Sequence, residues 1–185
     1  MKRSTGCDTG LGRQISIELK RKGFLVISTC LSLIDNEDLQ DQVDLLIQCD
    51  VTKEDDIVNL QSKCEQFLQQ TGRRLWAIIN NAGIAPLGCF DWMHVENFIK
   101  VMDVNYFGLV RVTKALLPSL KKTKNSRIIN MSSVAGLLGC PYMSGYCAAK
   151  HAVEGMTKAL RTELTPWNIH VANINPSFTR CNTHD

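Results

Sequence analysis

Residues 5–12 spell Thr-Gly-Cys-Asp-Thr-Gly-Leu-Gly, a glycine-rich turn that leads into a stretch with helical periodicity. Glycines in such a turn let the backbone bend tightly and approach a pyrophosphate, whose charge the helix N-terminus meets. The turn alone is a weak signal, because a plain loop before a helix would have the same pattern. The apolar segment 24–28 favours the nucleotide interpretation, since a second strand is expected there.

The rest of the chain alternates between two kinds of segment. Short runs rich in Val and Ile predict parallel strands buried on both faces, at 24–28, 44–48, 75–79, 127–131 and 170–174. Helical periodicity covers 10–22, 55–70, 95–120 (predicted to be two helices) and 146–164. This alternation predicts one α/β domain over 1–185, a Rossmann-like doubly wound parallel sheet with helices on both faces.

The segment before the glycine turn is short and polar. Only Met1-Lys2-Arg3-Ser4 precedes Thr5, and two of these residues are charged. We therefore expect a shortened first strand that cannot act as a normal buried central strand.

Composition excludes several classes of protein. With 44% hydrophobic residues and a net charge of +3, the chain is neither disordered nor a nucleic-acid or membrane-surface binder. No apolar run approaches the ~18 residues of a membrane span, so a cytoplasmic protein is predicted. The eight cysteines contain no C-x-x-C pair. Reduced, core-packed thiols are therefore expected, with a secreted disulfide framework as the alternative, and no metal site is predicted.

Three segments carry residues suited to acid–base chemistry. Tyr146 and Lys150 are four apart on a predicted helix, so the phenol and the ammonium share one face. A nearby positive charge lowers the pKa of a phenol, although such pairs also occur by chance on surfaces. Ser133 follows a strand and could hold a substrate oxygen, or be a turn serine. Asn105 lies among apolar residues, which predicts a buried hydrogen-bonding role or a helix kink.

Other candidates lie where parallel strands end, which is where ligands bind such sheets. Asp50, followed by Val51, could accept a hydrogen bond from an adenine amino group, or begin a helix. The segment Asn80-Asn81-Ala82-Gly83 offers small residues beside which a ligand can approach, or a plain turn. The predicted cofactor-binding residues are therefore Gly6, Gly10, Leu11, Gly12, Asp50, Val51, Asn80, Ala82 and Gly83.

In this order the motifs resemble the short-chain dehydrogenase/reductase family, and within it the retinol and hydroxysteroid dehydrogenase branch. The resemblance covers residues 5 to about 183. It implies an Asn105, Ser133, Tyr146 and Lys150 tetrad. In that tetrad Tyr146 is the acid/base, Lys150 binds the ribose and lowers the phenol pKa, Ser133 orients the alcohol or carbonyl, and Asn105 holds a relay water. The substrate, contacted by Ser133 and Tyr146, would be a lipophilic steroid-like or retinol-like alcohol or carbonyl.

The resemblance also implies a nicotinamide cofactor, bound in addition by Tyr146, Lys150 and Pro176. A 2′-phosphate would require Arg or Lys in the glycine turn or after the second strand. Those places hold Asp8, Thr9 and residues 30–32, which contain no base. NAD is therefore predicted over NADP.

The sequence departs from the family pattern at two places besides the first strand. Ser177 stands where the family has a glycine beside the nicotinamide, and the sequence stops at Asp185, before the family's substrate-covering segment and seventh strand. These departures predict a shortened chain with weak cofactor binding and slow turnover.

Two alternatives to an active enzyme follow. One is a catalytically silent form that pairs with a full-length relative; the other is a nucleotide sensor without turnover. The resemblance implies a homo- or hetero-oligomer formed through the helices at 95–120 and 146–164, which correspond to the family's dimer interface.

Overall fold

The computed structural model describes the backbone of residues 2–4 and all of residues 6–177. Within these residues the strands are β1 Lys2–Ser4, β2 Val26–Cys30, β3 Leu45–Gln48, β4 Ala77–Asn80, β5 Arg127–Met131 and β6 His170–Ile174. The α-helices are α1 Gly10–Arg21, α2 Glu37–Gln40, α3 Glu54–Thr71, α4 Val95–Met102, α5 Gly108–Lys121 and α6 Ser144–Glu163. Short 3₁₀ turns span Ile34–Asn36, Val134–Gly136 and Thr165–Trp167.

The six strands form one parallel sheet in the order β3-β2-β1-β4-β5-β6. The strand order reverses between β1 and β4, and ligands of such sheets bind at the carboxyl ends beside this reversal. The predicted α/β fold is confirmed. The β5 and β6 bounds match the prediction, while β2 and β4 begin two residues later than predicted.

The first strand, β1, lies at the centre of the sheet, although the sequence predicts that it cannot act as a normal buried central strand there. Lys2–Ser4 pairs with Val26–Ser28 on one side and with Ala77–Ile79 on the other. The prediction of a shortened strand is confirmed, but the prediction that it could not take the central place is wrong. Backbone hydrogen bonds from two neighbouring strands hold that place, and they do not depend on side-chain polarity.

Helices cover the two faces of the sheet with separate hydrophobic clusters. On one face Leu60 of α3 and Leu116 of α5 pack with Ile78 and Ile128 of the sheet. On the other face Ile17 of α1 packs with a cluster that includes Val26, Cys30 and Leu39. Burying such side chains contributes about 25 cal/mol for each Å² removed from water, so these clusters hold the strand ends in place.

The long helical stretch differs in detail from the two predicted helices. α4 continues into α5 without a break, through a π-helical turn at Asp103–Phe107. Such a wide turn often accompanies a functional site, and this one contains Asn105.

Most of the described cysteines are packed inside, as expected. Cys7, Cys30, Cys49, Cys64 and Cys147 are buried, and Cys89 and Cys140 are partly exposed. No disulfide joins any two of these seven cysteines, and Cys181 lies outside the described residues. Among the described helices, none combines the length and the apolar character required to cross a membrane.

Candidate active site

The glycine turn packs directly on the chain that follows β4. Gly6 has φ +64°, and a Cβ there would lie 2.7 Å from the Ala82 Cα, so only glycine fits. The Asn81 side-chain amide donates to the Gly6 carbonyl at 2.9 Å. These contacts bring the turn, the start of α1 and the end of β4 to one place.

The N-terminus of α1 suits an anion. Its first turn carries no acidic residue, and Thr9 makes no side-chain capping bond. The first amides of a helix and its dipole attract phosphate groups when nothing else neutralises them. Leu11, in this turn, lines the cleft described next. The turn therefore fits the pyrophosphate of a dinucleotide.

A cleft of about 200 Å³ opens at the carboxyl ends of β4 and β5. Six of the residues predicted from the sequence line it: Leu11, Gly83, Ser133, Tyr146, Lys150 and Pro176. The other lining residues are Asn81, Ile84, Ala85, Met131, Ser132 and Ser177. The chain thus brings the Ser, Tyr and Lys candidates to the same cleft as the start of α1.

Ser133 is held by the turn that follows β5. Its Oγ accepts a hydrogen bond from the Ala135 amide at 3.1 Å and lies 3.4 Å from the Pro176 carbonyl oxygen. Ser133 also lines the cleft beside Tyr146, and its hydroxyl favours the phenolate form of that residue, which lowers the Tyr146 pKa in part. The hydroxyl and the phenol therefore face the same point in the cleft.

Lys150 lies almost wholly inside the protein, 4% exposed. Its Nζ donates to the Met131 carbonyl at 2.6 Å and lies 5.5 Å from the centroid of the Tyr146 ring. Burial lowers the pKa of Lys150 to about 8, because desolvation penalises the ammonium.

Burial acts in the opposite direction on the phenol. It raises the pKa of Tyr146 above the ordinary value, the Ser133 hydroxyl lowers it in part, and the thiols of Cys147 and Cys140 raise it further. The sequence predicts instead that the Lys150 ammonium lowers the pKa of Tyr146. Any such lowering, by Lys150 or by a bound cationic nicotinamide, would have to act against the burial of the ring.

Asn105 holds the segment that follows β4. Its Oδ1 accepts from the Ile84 amide at 2.8 Å, and its Nδ2 donates to the Ile84 carbonyl at 2.9 Å. The expected buried hydrogen-bonding role is confirmed, since the side chain is 1% exposed and both of its polar atoms contact Ile84. Asn105 therefore fixes one wall of the cleft, and a relay water held by it stays a prediction.

Seven predicted cofactor residues lie outside the cleft lining: Gly6, Gly10, Gly12, Asp50, Val51, Asn80 and Ala82. The Asn80 side chain is buried and donates to Asn130 and Thr113, so its neighbour Asn81 borders the cleft instead. The Val51 side chain packs against Gly108 in the core. β4 ends at Asn80, so the second asparagine of the pair is the one that leaves the sheet.

Asp50 supports the turn before α3. Its Oδ1 accepts from the amide and the hydroxyl of Thr52, at 3.0 and 2.7 Å. Burial opposes ionisation of Asp50, but the Thr52 hydrogen bonds outweigh it and leave the pKa below the ordinary value. Asp50 therefore lies in the turn before α3, which begins only at Glu54, so the alternative that Asp50 begins a helix is wrong, and a role for its carboxylate at an adenine stays a prediction.

A polar cluster beyond β2 was missed by the sequence analysis. The Asp8 carboxylate accepts from the Leu31 amide at 2.7 Å, which joins the glycine turn to the end of β2. Arg13 donates to the Asn36 side chain at 3.0 Å and pairs with Asp38, whose pKa it lowers through a hydrogen bond. The short helix at 37–40 that carries Asp38 has too few residues to show a period.

A larger cavity, about 490 Å³, lies elsewhere. Its lining comes from the end of α3 and the end of α5 and includes Arg73, Arg74 and Lys122. No predicted site residue borders it, so size alone does not identify the functional cleft.

Comparison with known proteins agrees with this geometry. A family model described as short chain dehydrogenase matches residues 4–185. Retinol dehydrogenase 16 of Mus musculus is 37% identical over 179 residues, which are 94% of this chain and 55% of the relative. The chain thus spans about half the length of the curated relatives that it matches.

Two solved structures share the fold over 98% of this chain. A short-chain dehydrogenase from Streptomyces avermitilis matches with a TM-score of 0.87 and 29% identity, over 66% of its own length. ElxO, solved with NADP bound, matches with a TM-score of 0.88 and 26% identity, over 75% of its length. The fold, the cleft and these similarities agree, and the chain belongs to the short-chain dehydrogenase family.

Proposed function

We propose that the protein is a nicotinamide-dependent oxidoreductase that interconverts an alcohol and a carbonyl on a lipophilic substrate. The observation that carries this proposal is the meeting of Ser133, Tyr146 and Lys150 in one cleft. A hydroxyl and a phenol directed at one point can hold a substrate oxygen and exchange a proton with it.

Tyr146 transfers the proton in this proposal. At neutral pH its raised pKa keeps the phenol protonated, which suits donation to a carbonyl oxygen. In alcohol oxidation the phenolate takes the hydroxyl proton, and the Ser133 hydroxyl favours that form. A nicotinamide dinucleotide, when bound, supplies or accepts the hydride. Lys150 would hold the ribose, and the start of α1 the pyrophosphate.

The charges beyond β2 favour NAD over NADP. The Asp8 carboxylate reaches the Leu31 amide at the end of β2, so it brings a negative charge to the place where a 2′-phosphate would bind. Arg13, the base nearest in sequence to the turn, is already occupied by Asn36 and Asp38. A phosphate there would meet the Asp8 carboxylate, while the Arg13 guanidinium is already paired.

An apolar rim supports the lipophilic substrate class. We use the term for the exposed apolar side chains on the loops after β4 and β5: Leu87, Phe90, Trp92, Leu137, Leu138 and Tyr142. The Gly88 amide donates to the Tyr142 carbonyl at 3.0 Å, so the two loops lie together. Exposed apolar area on this scale is typical of a binding surface. The relatives named retinol dehydrogenases point to the same class.

The proposed assembly is an oligomer formed through α4, α5 and α6. Val95 and Ile99 of α4 are exposed, although both are apolar. A catalytically silent chain that pairs with a longer relative through the same helices is the second candidate. It requires the exposed helices but no proton transfer at Tyr146.

Substrate and cofactor can be tested on the full chain together. We expect formation of reduced nicotinamide when retinol or a hydroxysteroid is supplied with NAD, and a smaller kcat/KM with NADP. Asp8→Asn keeps an oxygen that accepts from the Leu31 amide but removes the negative charge. The kcat/KM values with NAD and with NADP should therefore differ less in this variant than in the wild type. Absence of cofactor-dependent turnover with every lipophilic alcohol, despite cofactor binding, would contradict the proposal and favour the silent form.

A further inference from the structure

Two cysteines meet beside the first turn of α6. Cys140 belongs to the loop after β5, and Cys147 follows Tyr146 in the helix. The Cys140 amide donates to the Cys147 Sγ at 3.3 Å, and the same sulfur lies 3.9 Å from the Cys140 carbonyl oxygen. A sulfur in this position is within reach of the Cys140 side chain, whose own Sγ is only two bonds from its Cα.

The loop is folded back so that the two residues stay together. The Met143 amide donates to the Cys140 carbonyl at 3.3 Å, and the Cys147 amide donates to the Met143 carbonyl at 2.8 Å. These bonds close a tight turn between the cysteines. The pKa of Cys140 is raised by burial first, and then by the charge and the hydrogen bond of the neighbouring Cys147 thiol. The turn therefore holds the Cys147 sulfur against the backbone of Cys140.

Access to the two thiols is unequal. Cys140 is partly exposed and follows the exposed Leu137 and Leu138. Cys147 is 8% exposed and sheltered by the loop. An oxidant from solvent would therefore reach Cys140 first, while the Cys147 sulfur lies against the Cys140 backbone. Unequal access of this kind suits an attacking thiol and a resolving thiol.

We propose that Cys140 and Cys147 are a redox modification site, which a peroxide converts into an intramolecular disulfide. In the first step the Cys140 sulfur attacks a peroxide oxygen, an S–O bond forms, the O–O bond breaks, and hydroxide leaves to become water with the thiol proton. In the second step the Cys147 sulfur attacks the Cys140 sulfur, the S–S bond forms, the S–O bond breaks, and a second water leaves. The two thiols are oxidised and one hydrogen peroxide is reduced.

The disulfide would fasten the loop after β5 to the helix that carries Tyr146. The carbonyl of Tyr142, inside the closed ring, binds the Gly88 amide across the apolar rim. Oxidation thus stiffens one side of the entrance to the cleft. The disulfide itself does not depend on the proposed enzymatic function, so the two can fail separately.

Peptide mapping of the full chain tests the proposal directly. Trypsin releases both cysteines in one peptide, residues 128–150, because no Lys or Arg lies between Arg127 and Lys150. After hydrogen peroxide at a pH of about 8.5, where thiolate forms more readily, we expect this peptide to lose two hydrogen atoms. It should also lose both alkylation sites and regain them on treatment with dithiothreitol.

Two variants serve as controls. Cys140→Ser should leave Cys147 open to alkylation after peroxide, whereas Cys89→Ser, at the other partly exposed cysteine, should still form the bond. The proposal is overturned if peptide 128–150 of the wild-type chain keeps both alkylation sites. It is equally overturned if Cys140 links to Cys89, or if both sulfurs pass separately to sulfinic acids.

Discussion

Burial of the Lys150 ammonium lowers the free energy of unfolding at neutral pH, because the charged group loses its hydration in the folded chain. In the folded chain the pKa of Lys150 is about 8, below its ordinary 10.5. Below pH 8 both the folded and the unfolded chain hold the proton, and the folded state bears the desolvation of the charge. Between pH 8 and 10.5 the unfolded chain binds more protons, so the stability contributed by this residue rises with pH.

Replacing Lys150 by Met is therefore expected to stabilise the protein at neutral pH. The shift of the pKa corresponds to roughly 3 kcal/mol, and loss of the hydrogen bond to Met131 offsets part of it. We expect the free energy of unfolding in urea to rise by about 1–3 kcal/mol at pH 7, and the gain to shrink above pH 10. Lys158→Met, on the exposed side of α6, should show neither effect. A variant that is less stable at pH 7 would contradict this account of the burial.

Single residues differ in how well sequence could identify them. Tyr146 and Lys150 were predictable because a spacing of four on a helix fixes a shared face. Asn80 was chosen because it ends a strand, but the direction of its side chain depends on Thr113 and Asn130, which are far away in sequence. Asp50 was chosen because it follows a strand, and its side chain instead accepts from Thr52, two residues on. The link between Asp8 and Leu31 joins a turn to a strand end 23 residues away, and no local pattern indicates it.

Three neighbouring strands are joined by a buried row of polar side chains. Asn80, Asn130 and Asn173 lie in register on β4, β5 and β6. Asn130 accepts from Asn80 at 2.9 Å and donates to the Thr157 hydroxyl at 2.8 Å, and that hydroxyl donates to Asn173 at 2.6 Å. The row lies at the carboxyl ends of the strands, next to the cleft. Its hydrogen bonds therefore help to hold these strand ends in register.

The hydroxyl of Thr157 is the link between two members of this row. Thr157→Val keeps the shape but leaves an Asn130 donor and an Asn173 acceptor without that partner. We expect a loss of about 2–4 kcal/mol in the free energy of unfolding, since each unsatisfied buried group costs about 1–3 kcal/mol. Thr162 is exposed on the same helix, so Thr162→Val should change the free energy of unfolding by less than about 0.5 kcal/mol. Equal effects of both substitutions would mean that the row adds no stability.

At the level of elements, hydrophobic periodicity predicted the helices and strands, but it did not predict the π-helical turn between α4 and α5 or the pairing of β1. The apolar runs located the strands because burial on both faces selects Val and Ile. The π-helical turn at Asp103–Phe107 has the same apolar content as an α-helix, so periodicity could not show it. The central place of Lys2–Ser4 comes from backbone pairing, which side-chain composition does not report.

For the whole molecule, assembly through the long helices is the proposal most open to test. Gly155 is exposed on α6, and a Cβ there would meet nothing within 4 Å. Gly155→Arg therefore leaves the isolated chain undisturbed, yet it places a long charged side chain on the proposed interface. We expect sedimentation to show an oligomer for the wild type and a monomer for the variant. An oligomer that persists in Gly155→Arg would place the interface elsewhere.

The overall architecture was the most predictable level. Alternation of strand and helix segments restricts a chain to few topologies, because parallel crossovers are right-handed. The cleft then follows from the topology, since strand order reverses between β1 and β4. The identity of the substrate was not predictable, because it depends on contacts between individual side chains and the substrate, and no sequence period or spacing reports such contacts.

Removal of a single oxygen atom tests the proton transfer at the centre of the proposal. Tyr146→Phe should still bind NADH in calorimetric titration, with at most a modest loss of affinity, because Tyr146 is also a predicted cofactor-binding residue. It should lose about a hundredfold or more in kcat for alcohol oxidation, because general acid–base catalysis contributes about that much. Tyr106→Phe, the matched loss of a phenol outside the cleft, should keep the wild-type kcat. A Tyr146→Phe protein that oxidises the alcohol at the wild-type rate would show that another group moves the proton.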